Sequence, residues 1–275
     1  MQGIVKSKPK LLLISRKQFG SSNANYHHCK YLKDDFDITY FCMDFGLEKV
    51  YMDGIKVKYV KKKSQNKWLN FLVFVFSAIS ELKSQKYELC IVNQLRKLAF
   101  LLPIFATKQK YVLEIRFGSN KKHPIKRLVQ LGLKKFDTLF YNNITVLSES
   151  LKNRMRLPDR KTHVLPLGSE IISGTEKSFD ELKLLYIGTF NNRNISETIH
   201  GFYRFYSDFH DKIRMKYTIA GFGDHFEIQM IIETIKKFNL QNVVSFVGKI
   251  SFEERKKYMD THNIGISYIP VTPYY

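Results

Sequence analysis

The sequence predicts an α/β protein made of two consecutive doubly wound units, each with a parallel sheet. Short apolar runs alternate with longer segments of helical spacing, which is the pattern of strand–helix–strand units. The alternation is interrupted once, by a polar stretch at 169–181. A chain of 275 residues is long enough for two units with separate cores. We therefore predict a first unit at 1–168, a linker at 169–181 and a second unit at 182–275.

The first unit has seven strand candidates, each a short apolar run bounded by polar or turn residues. They lie at 10–15, 37–43, 55–60, 88–94, 111–116, 143–148 and 162–168. Helical spacing between them predicts helices at 23–33, 66–84, 95–107 and 123–141.

The second unit has four strand candidates, at 182–190, 215–223, 242–250 and 263–270, and three helices, near 195–209, 225–238 and 252–261. A nucleotide-binding half of this kind usually has about six strands. We therefore expect the second unit to be incomplete.

The composition indicates an anionic partner. Lys and Arg total 45 against 25 Asp and Glu, so the net charge is +20. Nucleic acid, an acidic membrane surface or phosphorylated substrates would suit this charge, and a generally basic surface that serves solubility is the simpler alternative. No helix-turn-helix, zinc-finger or RNP-like pattern occurs, so we do not expect a nucleic-acid partner.

Cysteine usage and the N-terminal residues predict a cytoplasmic location. Cys29, Cys42 and Cys90 fit no metal-binding or redox spacing, and their odd number suggests a reducing compartment. The first apolar run, "LLLIS", is too short for a secretory signal.

The most apolar segment is "WLNFLVFVFSAI" at 68–79. It is well short of the ~20 residues needed to cross a bilayer. A buried helix is the first interpretation. A helix that dips into a membrane surface, with Lys61, Lys62, Lys63 and Lys67 beside it, is the alternative.

Glycine and polar residues follow several predicted strands, where ligands of doubly wound sheets bind. After the first strand, Gly20 permits a tight turn, and Ser21, Ser22 and Asn23 offer polar side chains and a helix cap. Their spacing matches neither a dinucleotide fingerprint nor a P-loop. An ordinary strand-to-helix turn is therefore the alternative to a binding role.

The second unit repeats this arrangement at three successive strand ends, with Ser196 as a candidate helix cap. Small, amide and guanidinium groups in front of a helix would suit a diphosphate. The candidate donor-binding residues are Gly188, Thr189, Arg193, Asn194, Gly221 and Gly223, and Gly248 follows the third strand.

These motifs resemble the retaining glycosyltransferases of family 4, which have the GT-B fold of two Rossmann-like domains. The resemblance is carried by Gly188 with its basic loop, "AGFG" (220–223), "VSFVG" (244–248) and "ISYIP" (266–270). In the first unit "VLEIRFGS", "ITVLSESLKNRM" and "VLPLG" are similar to the family's inner strands and linker entry. The resemblance covers almost the whole chain and is most specific over 144–270.

The resemblance implies transfer of a sugar from a nucleotide-sugar to an acceptor hydroxyl with retention, without an essential metal or other cofactor. Arg193 is the expected diphosphate contact, although the family often has Arg directly after the glycine, where this chain has Thr189. Glu114 and Arg116 would face the cleft, with a structural ion pair to a neighbouring helix as the alternative, and residues 20–23 would lie on the acceptor side. The implied acceptor is a surface or polyprenyl-linked saccharide, met at the anionic inner face of the cell membrane.

The family's pair of glutamates eight residues apart, expected after "ISYIP", has no counterpart here. We therefore expect a fragment of a longer enzyme, without transferase turnover. A catalytically dead nucleotide- or membrane-binding remnant is one alternative function, and a nucleotide-sugar epimerase with two Rossmann-like halves is another.

Overall fold

The computed structural model describes residues 7–93, 95, 98–119, 123–168, 170–251 and 253–270. The chain divides into two compact units, unit 1 at Met1–Leu167 and unit 2 at Gly168–Tyr275. Residues of the predicted linker thus belong to unit 2.

Unit 1 contains a seven-stranded sheet whose strands are all parallel, in the order β3-β2-β1-β4-β5-β6-β7. The strand order reverses between β1 and β4, which makes that position the topological switch point of a doubly wound sheet. The strands are β1 (Lys10–Ser15), β2 (Asp37–Met43), β3 (Ile55–Val60), β4 (Leu89–Asn93), β5 (Lys110–Ile115), β6 (Asn143–Val146) and β7 (Thr162–Val164).

Helices cover both faces of this sheet: α1 (Asn23–Leu32), α2 (Lys67–Ser84), α3 (Leu101–Phe105), α4 (Pro124–Thr138) and α5 (Glu149–Met155). Side chains of α1 share one apolar cluster with β1, β2 and β3, whereas those of α2, α3 and α5 share another. Right-handed crossovers explain the division, because only α1 leads towards the β3 edge of the sheet.

The sequence prediction lacks α5 and also differs from unit 1 at two proline-containing segments. The predicted helix at 95–107 is only the short α3, which contains Pro103, and residues 94, 96 and 97 lie outside the described residues. The predicted strand at 162–168 ends at Val164, because Pro166 has no N–H for the sheet.

The segment at 68–79 forms a helix within α2, as predicted, but only one face of this helix is buried. Asn66 caps this helix by accepting hydrogen bonds from the backbone N–H groups of Trp68 and Leu69, at 2.8 and 3.4 Å. Phe71 and Phe74 are buried against the sheet, whereas Trp68 is exposed.

Unit 2 contains a four-stranded parallel sheet in the order β10-β9-β8-β11. The elements are β8 (Glu181–Thr189), α6 (Ile195–Phe209), β9 (Arg214–Phe222), α7 (His225–Lys237), β10 (Val244–Gly248), α8 (Glu254–Thr261) and β11 (Ile264–Gly265). The predicted strand at 263–270 is thus reduced to two residues beside β8, and residues 271–275 lie outside the described residues.

All three cysteines are buried thiols of unit 1. Cys29 is on α1, Cys42 on β2 and Cys90 on β4. Burial raises the pKa of Cys29 and of Cys42 to about 12. These thiols are packing residues of the core, because an unionised buried thiol is neither a good nucleophile nor a good metal ligand.

Asp137 at the end of α4 makes the stability of unit 1 depend on pH. Burial raises the pKa of its carboxyl group to about 7, although the backbone N–H groups of Phe100 and Ala99 favour the ionised form. Between about pH 4 and pH 7 the folded chain therefore holds a proton that the unfolded chain has released, so this residue makes stability fall as pH rises.

We predict that Asp137→Asn stabilises the chain above pH 7 by on the order of 2 kcal/mol and changes little near pH 4. The amide oxygen can still accept the hydrogen bond from Phe100 N–H, at 3.2 Å in the native chain, without an ionisation cost. Chemical denaturation of both proteins at the two pH values measures the difference. An equal change at both would contradict the prediction.

Candidate functional site

The carboxyl edge of each sheet contains one set of the residues predicted from the sequence. In unit 1 the set follows β1 and β5, and in unit 2 it follows β8 and β9. The two edges differ in chemistry, and each is described by itself.

The edge of unit 1 is a buried polar network across neighbouring strands. Ser15 and Asn93 end β1 and β4, Glu114 is the penultimate residue of β5, and the three are direct partners in the parallel register. Asn93 donates to Glu114 Oε2 at 2.6 Å and to Asn25 Oδ1 at 2.8 Å. Asn25, on α1, donates in turn to Ser15 Oγ at 2.8 Å. A chain of hydrogen bonds thus runs from β5 to the first helix.

Arg116 completes this network as the ion-pair partner of Glu114. Its Nε and Nη2 atoms lie 2.8 and 2.7 Å from Glu114 Oε1. The Glu114 side chain is only 5% exposed, whereas that of Arg116 is 15% exposed. The sequence alternative is an ion pair with a neighbouring helix, whereas these two residues pair with each other, at the edge where ligands of such sheets bind.

His28 of α1 lies against this ion pair. Arg116 Nη2 is 3.3 Å from His28 Nε2, and because a guanidinium can only donate, Nε2 is the acceptor and the ring proton is on Nδ1. Burial lowers the pKa of His28, Glu114 opposes the shift and Arg116 adds to it. His28 is therefore a neutral imidazole at pH 7. Its Nδ1 is buried and has no hydrogen-bond partner among the described residues.

The loop after β1 is held in place by its own polar residues. Gly20 has a φ of +83°, and a side chain there would overlap Val50. Ser21 Oγ donates to Gln18 O at 2.6 Å, while the buried Gln18 side chain accepts from Phe45 N–H at 2.8 Å. These contacts hold the turn in its shape, and a binding role for residues 20–23 stays a prediction.

Two residues of this loop differ in detail from the helix cap expected there. Ser22 occupies the N-cap position of α1 but makes no capping hydrogen bond with its side chain, and Asn23 is the first helical residue. Asn23 is exposed and Ser22 is half-buried at the edge of the sheet.

The edge of unit 2 is formed mainly by backbone. Gly188 and Gly221 are direct partners in the register of β8 and β9. Gly221 has a φ of +150°, and a Cβ atom there would overlap Gly188 O and lie 3.0 Å from the Phe190 ring. The sequence makes Gly221 a candidate donor-binding residue, and in the structure its missing side chain also lets the neighbouring strand β8 approach.

The loops after β8 and β9 are tied to each other. Phe190 N–H donates to Phe222 O at 2.9 Å, and Asp224 N–H donates to Asn191 Oδ1 at 2.8 Å. A Cβ atom on Gly223 would lie 2.8 Å from that same Oδ1. Gly223 therefore keeps the two loops in contact.

The start of α6 carries no side-chain cap, whereas the start of α7 does. Asn194, with a φ of +48°, is the N-cap of α6 and makes no side-chain capping bond, so Ser196 lies inside the helix and does not cap it as predicted. At α7, Asp224 accepts a hydrogen bond from Glu227 N–H at 3.1 Å. The first turn of each helix contains one glutamate, Glu197 in α6 and Glu227 in α7, so the acidic cap of α7 is the difference between the two ends.

Arg193 immediately precedes the N-cap of α6. Its backbone N–H donates to Phe190 O at 3.0 Å, which fixes the turn after β8. The side chain is half-buried, and Thr189 and Asn194 beside it are exposed. A guanidinium and exposed polar residues thus lie at the helix end that carries no acidic cap.

The network residues other than Glu114 and Arg116 were missed by sequence reasoning. Ser15 and Asn93 each end an otherwise apolar strand, which is a signal that the sequence does contain. The sequence gives no comparable signal for Asn25 and His28, because their contacts with the network depend on which face of α1 meets the sheet.

Within the described residues, no group of three or more His, Cys, Asp or Glu side chains is arranged to hold a metal ion. No helix in this part of the chain has the length and apolar character needed to cross a membrane.

Comparison with known proteins shows a shared fold at low sequence identity. HepE of Anabaena, solved in complex with UDP, has a TM-score of 0.69 and 13% identity over 93% of this chain and 73% of that one. A UDP-forming α,α-trehalose-phosphate synthase from Burkholderia vietnamiensis has a TM-score of 0.68 and 10% identity over 93% of this chain and 77% of that one. The lipopolysaccharide outer core galactosyltransferase WaaB has a TM-score of 0.61 and 14% identity over 93% of this chain and 72% of that one. No family model and no curated protein matches the chain.

These similarities establish the fold class. The chain has the α/β architecture of GT-B glycosyltransferases, with two Rossmann-like parallel-sheet units, as the sequence predicted. Identities of 10 to 14% support no statement about the reaction of this chain.

We predict that Gly221→Ala unfolds or strongly destabilises unit 2, by about 3 kcal/mol or more, because the added Cβ overlaps the backbone of β8. The matched control is Gly201→Ala on α6, where a Cβ would have nothing within 4 Å. The control should be stabilising by about 0.5–1 kcal/mol. Denaturation followed by circular dichroism measures both changes, and a well-tolerated Gly221→Ala would contradict the close strand approach.

Proposed function

We propose that this chain supplies the donor-binding and acceptor-binding units of a glycosyltransferase that uses a nucleotide-sugar, with unit 2 binding the donor diphosphate. The observation that carries the proposal is the contrast between the two helix ends, since α6 lacks an acidic cap and follows Arg193, whereas Asp224 caps α7. HepE, which has the same fold, was solved with UDP, and a second neighbour is described as UDP-forming.

In the proposed reaction Arg193 and the first N–H groups of α6 stabilise the diphosphate. The departing diphosphate gains negative charge as its bond to the sugar breaks, and fixed donors at that position lower the barrier. Gly188 and Gly221 keep the adjacent backbone free of side chains. We further propose that this electrostatic arrangement requires no essential metal and that transfer proceeds with retention.

We assign the acceptor to the edge of unit 1. Arg116 can donate to an acceptor hydroxyl, while Glu114 fixes the guanidinium through the bonds at 2.7 and 2.8 Å. Ser22 and Asn23 supply further polar groups at the same edge. A surface or polyprenyl-linked saccharide at the inner face of the membrane is the proposed acceptor class, because an anionic membrane would suit the net charge of +20.

The test of donor binding is titration of the full chain with UDP, GDP and inorganic pyrophosphate by calorimetry. We expect Arg193→Ala to weaken nucleoside diphosphate binding about tenfold, the effect of losing one charge-assisted hydrogen bond. Arg204→Ala is the matched control, because Arg204 is exposed further along the same helix.

The control variant should bind as the native chain does. Equal affinities for all three proteins would refute the role of Arg193. Absence of binding by the native chain would refute the donor proposal itself. Addition of EDTA to the native titration tests the metal-independence, since binding that is lost on chelation would contradict it.

A further inference from the structure

The imidazole of His28 contacts both members of the Glu114–Arg116 ion pair at the carboxyl edge of unit 1. Its Nε2 atom lies 3.3 Å from Arg116 Nη2 and 3.8 Å from Glu114 Oε1. All three side chains are mostly buried. In such a cluster, a proton that one group gains or loses changes the bonds of the other two.

One oxygen of Glu114 is fully used by Arg116. Arg116 Nε and Nη2 lie 2.8 and 2.7 Å from Oε1, and a carboxylate oxygen has two lone-pair sites. The distance of 3.8 Å from His28 Nε2 to the same oxygen is too long for a hydrogen bond. The partner of neutral His28 is therefore the guanidinium of Arg116, and the carboxylate is a second partner that is already occupied.

The tautomer of His28 is explained by its contact with Arg116. With the proton on Nδ1, a buried donor has no partner among the described residues, which lowers stability. The opposite tautomer would direct an N–H group at the N–H groups of Arg116, which cannot accept a hydrogen bond. The ring therefore leaves one donor unpaired and keeps Nε2 as an acceptor for the guanidinium.

These contacts hold one side of the Arg116 guanidinium. Of its five N–H groups, those on Nε and Nη2 lie on the side that faces Glu114 and His28. Nη1 has no hydrogen-bond partner among the residues that the structure describes. Nη1 is therefore the atom that Arg116 can offer to a ligand, and its position depends on both neighbours.

We infer that His28 is a positioning residue for Arg116, and that protonation of His28 releases the guanidinium. An imidazolium carries N–H on both nitrogens, so Nε2 can no longer accept from Arg116 Nη2. The new Nε2–H group competes instead for Glu114 Oε1. Arg116 then loses one acceptor and shares the other, while a second positive charge lies beside it.

The groups around His28 determine the direction of the pH dependence. Burial lowers the pKa of His28 from 6.5, Glu114 raises it, and Arg116 and His27 lower it further. From the strands beneath α1, Tyr40 contributes a hydroxyl group to the same network, and burial raises its pKa so that it stays neutral. His28 therefore gains its proton only below pH 6.5, and Arg116 is held firmly above that pH.

The inference rests on the proposed function, in which Arg116 donates to the acceptor, but its test uses neither acceptor nor nucleotide. The histidine and arginine side chains of the full chain are labelled with ¹⁵N and observed by NMR. The His28 nitrogen shifts report its tautomer and its titration midpoint. Exchange of Arg116 Nε–H with water, relative to free arginine at the same pH, reports how firmly the guanidinium is held.

The signals are assigned by their loss in His28→Gln and Arg116→Lys. A wrong assignment of the acceptor would leave the pH response of these signals as expected, and a wrong role for His28 would leave UDP titration of unit 2 as expected. The two proposals therefore fail separately.

The native chain should show the Nδ1–H tautomer at pH 7, and the midpoint of His28 should lie below 6.5. Protection of Arg116 Nε–H should fall about tenfold as the pH drops through that midpoint, the effect of weakening one charge-assisted hydrogen bond. His28→Gln should keep the protection on both sides of the midpoint, because its amide oxygen accepts from Arg116 and does not titrate. His28→Leu should lack the protection on both sides.

The matched control is His163→Gln on β7, where the histidine is exposed and belongs to a different strand. This variant should show the native pH response of Arg116. Circular dichroism shows whether each variant is folded, and if His28→Leu does not fold, the comparison of the native chain with His28→Gln decides.

Three results would overturn the inference. One is an Nε2–H tautomer of His28 at pH 7. A second is protection of Arg116 in the native chain that stays constant through the midpoint of His28. The third is a fall in protection in His28→Gln equal to that of the native chain, since a group other than His28 would then cause it.

Discussion

Parallel pairing in register is the constraint on which both candidate sites depend. It sets Ser15, Asn93 and Glu114 side by side in unit 1, and Gly188 beside Gly221 in unit 2. A slip of one residue would reverse the face of every side chain in a strand. The Asn93–Glu114 hydrogen bond and the Gly188–Gly221 contact would then be lost together with the core packing. Stability and site geometry are therefore properties of the same strand contacts.

The two edges present different kinds of chemical group. Unit 1 presents a carboxylate, a guanidinium and a neutral imidazole in the network of Glu114, Arg116 and His28, which suits the hydroxyl groups of a sugar. Unit 2 presents glycines, Arg193 and an open helix end, which suits an anion. In the proposed function this difference separates the acceptor from the donor, and the Asp224 cap of α7 restricts the anion to α6.

Much of the fold followed from apolar periodicity, and the candidate site followed only in part. The predicted bounds of α6 coincide with Ile195–Phe209, because the helix lies between well-marked strands. The predicted strand at 162–168 is shortened by Pro166, a local signal that the sequence does contain. Asn25 and His28 could not be found, because their role depends on a helix face and on partners many residues away. The close approach of β8 to Gly221 could not be predicted either, since a sequence does not show which backbone lies beside a glycine.

The burial of Cys29, Cys42 and Cys90 in unit 1 has a practical consequence. A thiol reagent reacts with the thiolate, which these side chains do not form while they remain buried. Alkylation of the native chain therefore proceeds only when unit 1 opens, and its rate reports the opening of that unit without a contribution from unit 2. The three native cysteines therefore serve as an internal probe of the opening rate of unit 1.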